Sequence, residues 1–204
     1  MGDRFLMLDV DGVVVTGRPG DGLHWSTGLE ADLGVSPAAL HADFFAPRWD
    51  RIVRGLDPLR PTLDRALAAA SLPVSAGTLV DYWFRNDSRL DHDLLDTVGE
   101  ARRGGWTVIL ATNQEPERAA YLWRTLGLRD HADGLLTSAG LGAAKPEAAF
   151  WERAEAHTGG SASDHVLVDD SAANVASARA HGWKAVHWPD PRGLAECLRD
   201  VAGA

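Results

Sequence analysis

The chain has 204 residues, 45% of them apolar and 24% charged, which excludes disordered and fibrous classes and suits one core with a small accessory lobe. A formal charge of -9 and a pI near 5.3 argue against nucleic acid or an anionic membrane as partner, because either is repelled at long range, yet leave a small anionic substrate open. Cys197 is the only cysteine, so neither an intrachain disulfide nor a thiolate metal cluster can form, and the absence of a long apolar run or an export-type amino terminus makes a cytoplasmic location the expectation.

The first apolar run extends from Arg4 to Val14 and reads as a strand buried on both faces, with Asp9 and Asp11 at its end and Gly12 where the chain turns out of the sheet. Residues 16–90 contain no strand-like run, and helix signals dominate. Thr27 with Glu30 forms a capping box, Ser36-Pro37 starts a second helix, Asp57-Pro58 and Arg60-Pro61 are breaks, and Ser75 starts a fourth helix, giving an all-helical insert of four short helices. The glycines from Gly17 to Gly22 lack the Lys-Ser/Thr ending of a phosphate-binding loop, so they read as a flexible hinge into that insert.

From about residue 91 helices and strands alternate. Asp91 caps a helix ending near Arg103, and Trp106 to Ala111 is the next buried strand. Pro116 opens a helix that Gly127 stops. Strands follow at Leu135 to Thr137, His165 to Val168 and Lys184 to His187, the pattern of a parallel sheet with right-handed crossovers. The expected division is a core of residues 1–15 and 91–204 with the helical domain 16–90 inserted after strand 1.

Four short motifs sit at strand ends or helix starts: Asp9-Val10-Asp11-Gly12-Val13, Thr112-Asn113, Lys145-Pro146 opening a helix, and Asp169-Asp170. In an open parallel sheet all strand carboxyl ends share one edge, so these residues converge in one crevice. Taken alone, Asp-x-Asp-Gly also fits an Asx turn, and Thr112 a strand-ending turn. Lys145 carries more weight, because 18 of the 20 basic residues are arginine and only Lys145 and Lys184 are lysine.

These four motifs, in this order and on these elements, resemble the haloacid dehalogenase (HAD) superfamily. The resemblance implies an α/β, Rossmann-like core with strand order 5-4-1-2-3 and a small all-helical C1-type cap. Asp9 would be the nucleophile, forming an aspartyl-phosphate, and Asp11 the acid/base that protonates the leaving oxygen and then deprotonates water. Thr112 and Asn113 would contact the phosphoryl group, and Lys145 would favour ionised Asp9. Mg²⁺ would be held by Asp9, the Asp11 carbonyl and one of Asp169 and Asp170, with Asp170 favoured and Asp169 acting through water. Asn174 resembles a residue that orients the acidic loop.

The implied activity is Mg²⁺-dependent hydrolysis of a small phosphorylated metabolite by a monomer or homodimer. Phe44-Phe45, Trp49, Arg54-Gly55 and Tyr82-Trp83 loosely resemble the caps of small sugar-phosphate phosphatases, although each aromatic also suits helix packing. Arg48, Arg51 and Arg54, interleaved with Asp43, Asp50 and Asp57, read as solvated salt-bridge faces rather than a second anion site. Rival readings are a phosphomutase of the β-phosphoglucomutase type and a non-catalytic phospho-ligand sensor. Dehalogenation is least favoured, since a halide needs no proton from Asp11.

Overall fold

The computed structural model describes residues 4–203. Five strands, β1 (Phe5–Leu8), β2 (Thr107–Thr112), β3 (Gly134–Thr137), β4 (His165–Asp169) and β5 (Lys184–His187), form one parallel sheet in the order β3-β2-β1-β4-β5, the order expected, read from the other edge.

Side chains alternate strictly across this sheet, as a period of two demands. Leu6, Leu8, Val108, Leu110, Val166 and Val168 pack on one face, against α6 (His92–Arg103) and α11 (Leu194–Gly203). Phe5, Met7, Ile109, Ala111 and Leu167 pack on the other, against α9 (Ala148–Thr158) and α10 (Ala172–His181). Both faces are covered, which is why the strands read as continuous apolar runs. The chain leaves β1 toward β2 and β3, then returns to the far side of β1 for β4. The crevice where a doubly wound sheet binds its ligand therefore opens above β1 and β4.

Between β1 and α6 the chain is helical in four stretches. A 3₁₀ turn at Trp25–Gly28 runs into α1 (Leu29–Leu33); α2 (Pro37–Leu40), a π turn at His41–Phe45 and α3 (Ala46–Val53) form one rod; α4 (Leu59–Ala69) and α5 (Ala76–Asn86) follow. Ser36, Ser75 and Asp91 cap their helices as expected. Two local expectations fail. The Thr27–Glu30 box does not form, because the Thr27 hydroxyl donates to the His24 carbonyl and Gly28 precedes α1 without a side-chain cap. Pro61 is no break: it sits in the first turn of α4, where no backbone N–H is required.

These helices surround their own apolar cluster, centred on Trp25, Leu29, Phe44, Leu63, Val80 and Trp83. The two connections to the sheet run side by side: Thr16 N–H donates to the Arg89 carbonyl at 2.8 Å, Arg89 N–H to the Gly17 carbonyl at 3.0 Å, and Asp91 N–H to the Val14 carbonyl at 3.0 Å. Among the described residues no helix is long and apolar enough to cross a membrane.

Candidate active site

All four motif regions meet at the carboxyl edge of the sheet. Asp9 still follows the register of β1, its N–H donating to the Val168 carbonyl at 2.9 Å. Asp9 Oδ1 accepts from the Val10 N–H at 2.8 Å and lies 3.1 Å from Lys145 Nζ, while no hydrogen bond reaches its Oδ2 from the described residues.

Lys145 is buried, and its Nζ also donates to the Ala111 carbonyl at 2.7 Å and to Asp169 Oδ2 at 2.6 Å. Burial works to lower its pKa, but the charges of Asp9 and Asp169 outweigh that and hold it above the usual lysine value. The Asn113 side chain places this lysine. It donates to the Lys145 carbonyl at 2.8 Å and accepts from the Lys145 N–H at 2.9 Å, a brace on the loop that sequence reasoning did not anticipate. Helix α9 begins at Ala148, so Lys145-Pro146 lies just ahead of the helix it was expected to open, with Glu147 at the N-cap. Thr112 is buried at the end of β2, beside this loop.

The two acidic residues after β4 differ. Asp169 is fully buried and saturated: it accepts from Lys145, from the Ser171 N–H at 2.9 Å and from Asn174 Nδ2 at 3.0 and 3.2 Å. Asp170 is exposed, and its carboxylate takes no hydrogen bond from another described side chain; burial and the neighbouring Asp169 charge push its carboxyl upward. Gly12 lies against it at φ +81°, and a Cβ there would come within 2.3 Å of Asp170 Oδ2.

Asp11 has a front and a back. Nearly half of its side-chain surface faces the crevice (47%), yet Oδ1 is sealed and unpaired, 3.6 Å from the Arg118 guanidinium. Its Oδ2 accepts from Gln114 Nε2. Burial raises this carboxyl most, the charges of Asp87 and Asp9 add to the shift, Arg118 opposes it, and the group is pushed up to about 7.

Gln114, Arg118 and Asp87 were not foreseen from sequence. Arg118 lies on α7 (Pro116–Ala120), wholly buried, 3.3 Å from Asp87 Oδ2 and beneath the rings of Phe84 and Tyr121. It also donates to the carbonyls of Asp87 and Phe84. An arginine with no exposure carries no sequence signal of its own; only its position just past Thr112-Asn113 hinted at proximity.

One carboxylate oxygen each from Asp9, Asp169 and Asp170 falls within a 4.8 Å cluster. Three hard anionic ligands facing one ammonium fit a divalent cation with oxygen preference, and the missing Cβ of Gly12 leaves room beside Asp170. Over Asp11 and Gly12 opens a cavity of about 580 Å³, walled on the helical side by Trp25, Phe45, Trp49 and Trp83.

A family model described as haloacid dehalogenase-like hydrolase matches residues 5–182. No curated protein matches the sequence. Among solved structures, a HAD family enzyme of Bacteroides thetaiotaomicron, in complex with magnesium and inorganic phosphate, aligns with TM-score 0.75 at 17% identity, covering 97% of this chain and 99% of that one. A predicted HAD-like family hydrolase of Porphyromonas gingivalis aligns with TM-score 0.76 at 16% identity, covering 99% and 98%. The L-2-haloacid dehalogenase RSc1362 aligns with TM-score 0.66 at 17% identity, covering 99% and 100%. At such identities the likeness is one of fold.

Proposed function

The chain belongs to the haloacid dehalogenase-like hydrolases, and from that premise we propose that it is a Mg²⁺-dependent phosphatase of small phosphate monoesters working through an aspartyl-phosphate on Asp9. The observation that carries this reading is the pair formed by Asp9, with Oδ2 unengaged and Lys145 against Oδ1, and Asp11, half open to the same crevice with Oδ1 sealed beside Arg118, a setting that pushes its carboxyl upward. A dehalogenase has no use for that second acid, whereas phosphate ester cleavage needs a proton on the leaving oxygen.

Asp9 Oδ2 attacks phosphorus and the ester P–O bond breaks, with Asp11 supplying its proton to the departing oxygen. Water then attacks the phosphorus, Asp11 takes its proton, and the Asp9–phosphorus link breaks to release inorganic phosphate. Burial pushes the Asp9 carboxyl up and Lys145 opposes that push while orienting it, with Asn113 bracing the lysine's backbone. Thr112 and the Asn113 backbone N–H would donate to a phosphoryl oxygen.

Asp9, the Asp11 carbonyl and Asp170 would hold the Mg²⁺. The saturation of Asp169 by Lys145, Ser171 and Asn174 supports Asp170 as the direct ligand, with Asp169 behind it. When bound, the ion supplies positive charge that offsets the repulsion between an anionic ester and an anionic nucleophile. Residues 16–90 act as the cap, a reading supported by their separate apolar cluster and paired connections.

Phosphate release from a broad ester panel with Mg²⁺ tests the proposal. Asp9→Asn is expected to abolish it, and a variant keeping most of the metal-dependent activity would rule out the nucleophile. A mutase would instead return an isomeric sugar phosphate.

A further inference from the structure

One side of the cavity over Asp11 is built from aromatic rings. Trp25 and Trp83 stack with centroids 5.3 Å apart, Phe45 meets Trp83 edge-on at 5.5 Å, and Trp49 lies 5.4 Å from Phe45 and 5.5 Å from Trp83. Rings in mutual contact make a continuous wall, unlike the separated faces that enclose an ammonium group. Trp83 is held in place by its Nε1, which donates to Asp87 Oδ2 at 3.3 Å, and Asp87 in turn meets Arg118 beside Asp11. The wall is therefore tied to the catalytic edge, while Phe45 and Trp49 keep part of their surfaces open.

A second space of about 290 Å³ borders the same rings, lined by His24, Trp25, Phe45 and Trp49 together with Pro37 and Leu40. Neither lining contains a lysine or arginine among the described residues, and the carboxylates facing the first cavity are those of Asp11 and Asp87. Such a site repels a leaving group that bears a second phosphate or a carboxylate, and its lining joins the aromatic wall to the polar side chains of Thr16, His24, Asn113 and Gln114. It rewards a flat, neutral body with an aromatic face and a few hydroxyls.

Resting on the phosphatase reading, we propose that the preferred substrate is the phosphate monoester of a neutral alcohol carrying an aromatic ring system of nucleoside size, stacked on Phe45 and Trp49, which Trp83 backs. The net reaction is hydrolysis: the ester P–O bond breaks, water supplies the new oxygen on phosphorus, and a proton passes to the departing alcohol.

The test compares kcat/KM of the full chain with Mg²⁺ on a nucleoside monophosphate, an aryl phosphate, a hexose phosphate and a triose phosphate. The two aromatic esters should lead by about tenfold or more, the scale of base stacking on an aromatic side chain. In Trp49→Ala the nucleoside-to-triose ratio should fall by about tenfold, mainly through KM, and Trp49→Phe should restore most of it. Equal or better use of the sugar esters, or an unchanged ratio in a folded Trp49→Ala protein, overturns the proposal. Calorimetric titration with the nucleoside monophosphate and the hexose phosphate ranks binding without turnover. If no ester is hydrolysed the phosphatase reading fails, and tighter binding of the hexose phosphate would still overturn this inference separately.

Discussion

Asp11 shows how a single side chain acquires a task from two environments. Its sealed Oδ1 and the charges of Asp87 and Asp9 raise the carboxyl, while its open edge keeps it in reach of a substrate. The shift has a sign for stability. A carboxyl raised from 3.8 to about 7 binds more protons folded than unfolded, so its contribution is fully present below 3.8 and is lost as pH rises toward 7. Thermal unfolding of the metal-free protein should thus occur at falling temperature between about pH 5 and pH 7.5, and Asp11→Asn should flatten that slope. An equally steep slope in the variant would show that Asp11 is not its source. Asp11→Asn should also cost turnover about 10²–10⁴-fold, with much less effect on phosphate binding. Asp9, Asp11 and the acidic pair were legible because motif residues at strand ends follow from local pattern, and Lys145 because lysine is so rare here. Arg118 and Gln114 were not, since their meaning comes from partners 31 and 103 residues away.

At the scale of elements, three contacts besides those of Arg118 join the helical insert to the sheet's edge. Arg54, just after α3, pairs with Glu147 at 2.7 Å; Arg60 on α4 pairs with Glu117 at 2.6 Å; and the Ser138 hydroxyl donates to the Val53 carbonyl at 2.5 Å. Both ion pairs are partly exposed, so each contributes well under ~1 kcal/mol to stability. Both tie the proposed cap to the core, and Glu147 is two residues from Lys145. The double variant Arg54→Gln/Arg60→Gln should melt within a few degrees of the wild type. If the pairs favour a closed cap, it should raise KM by up to about fivefold. A KM that does not move would show that they do not. The helix starts at Ser36, Ser75 and Asp91 were readable because each cap is a local bargain between a side-chain oxygen and a nearby N–H. Thr27 failed for the same reason in reverse, since His24 lay nearer as a partner. The π turns at His41–Phe45 and Tyr121–Thr125 left no trace in the apolar period.

For the whole molecule, the parallel sheet followed from the alternation of apolar runs and helices after residue 91, whereas its strand order came from the family resemblance of the four motifs. The insert's packing did not, because its aromatics serve as core and as cavity wall at once, and only three-dimensional placement separates Phe44, buried, from Phe45 and Trp49, half open. Binding of Mg²⁺ to the folded state alone should stabilise it by about 2.7 kcal/mol at a hundredfold excess over Kd. That corresponds to a rise in Tm of roughly 5–10 °C for a chain of this size. In Gly12→Ala, whose added carbon collides with Asp170, most of this rise should vanish; an undiminished shift would place the ion elsewhere. The paired connections carry a different consequence. Because Thr16 and Arg89 are hydrogen-bonded neighbours, about seventy residues leave and rejoin the sheet through a single port, so that the strands need not shift with the length of chain beyond it. An insert of another length or shape would fit the same port while Asp9, Lys145 and Asp169 kept their places at the sheet's edge.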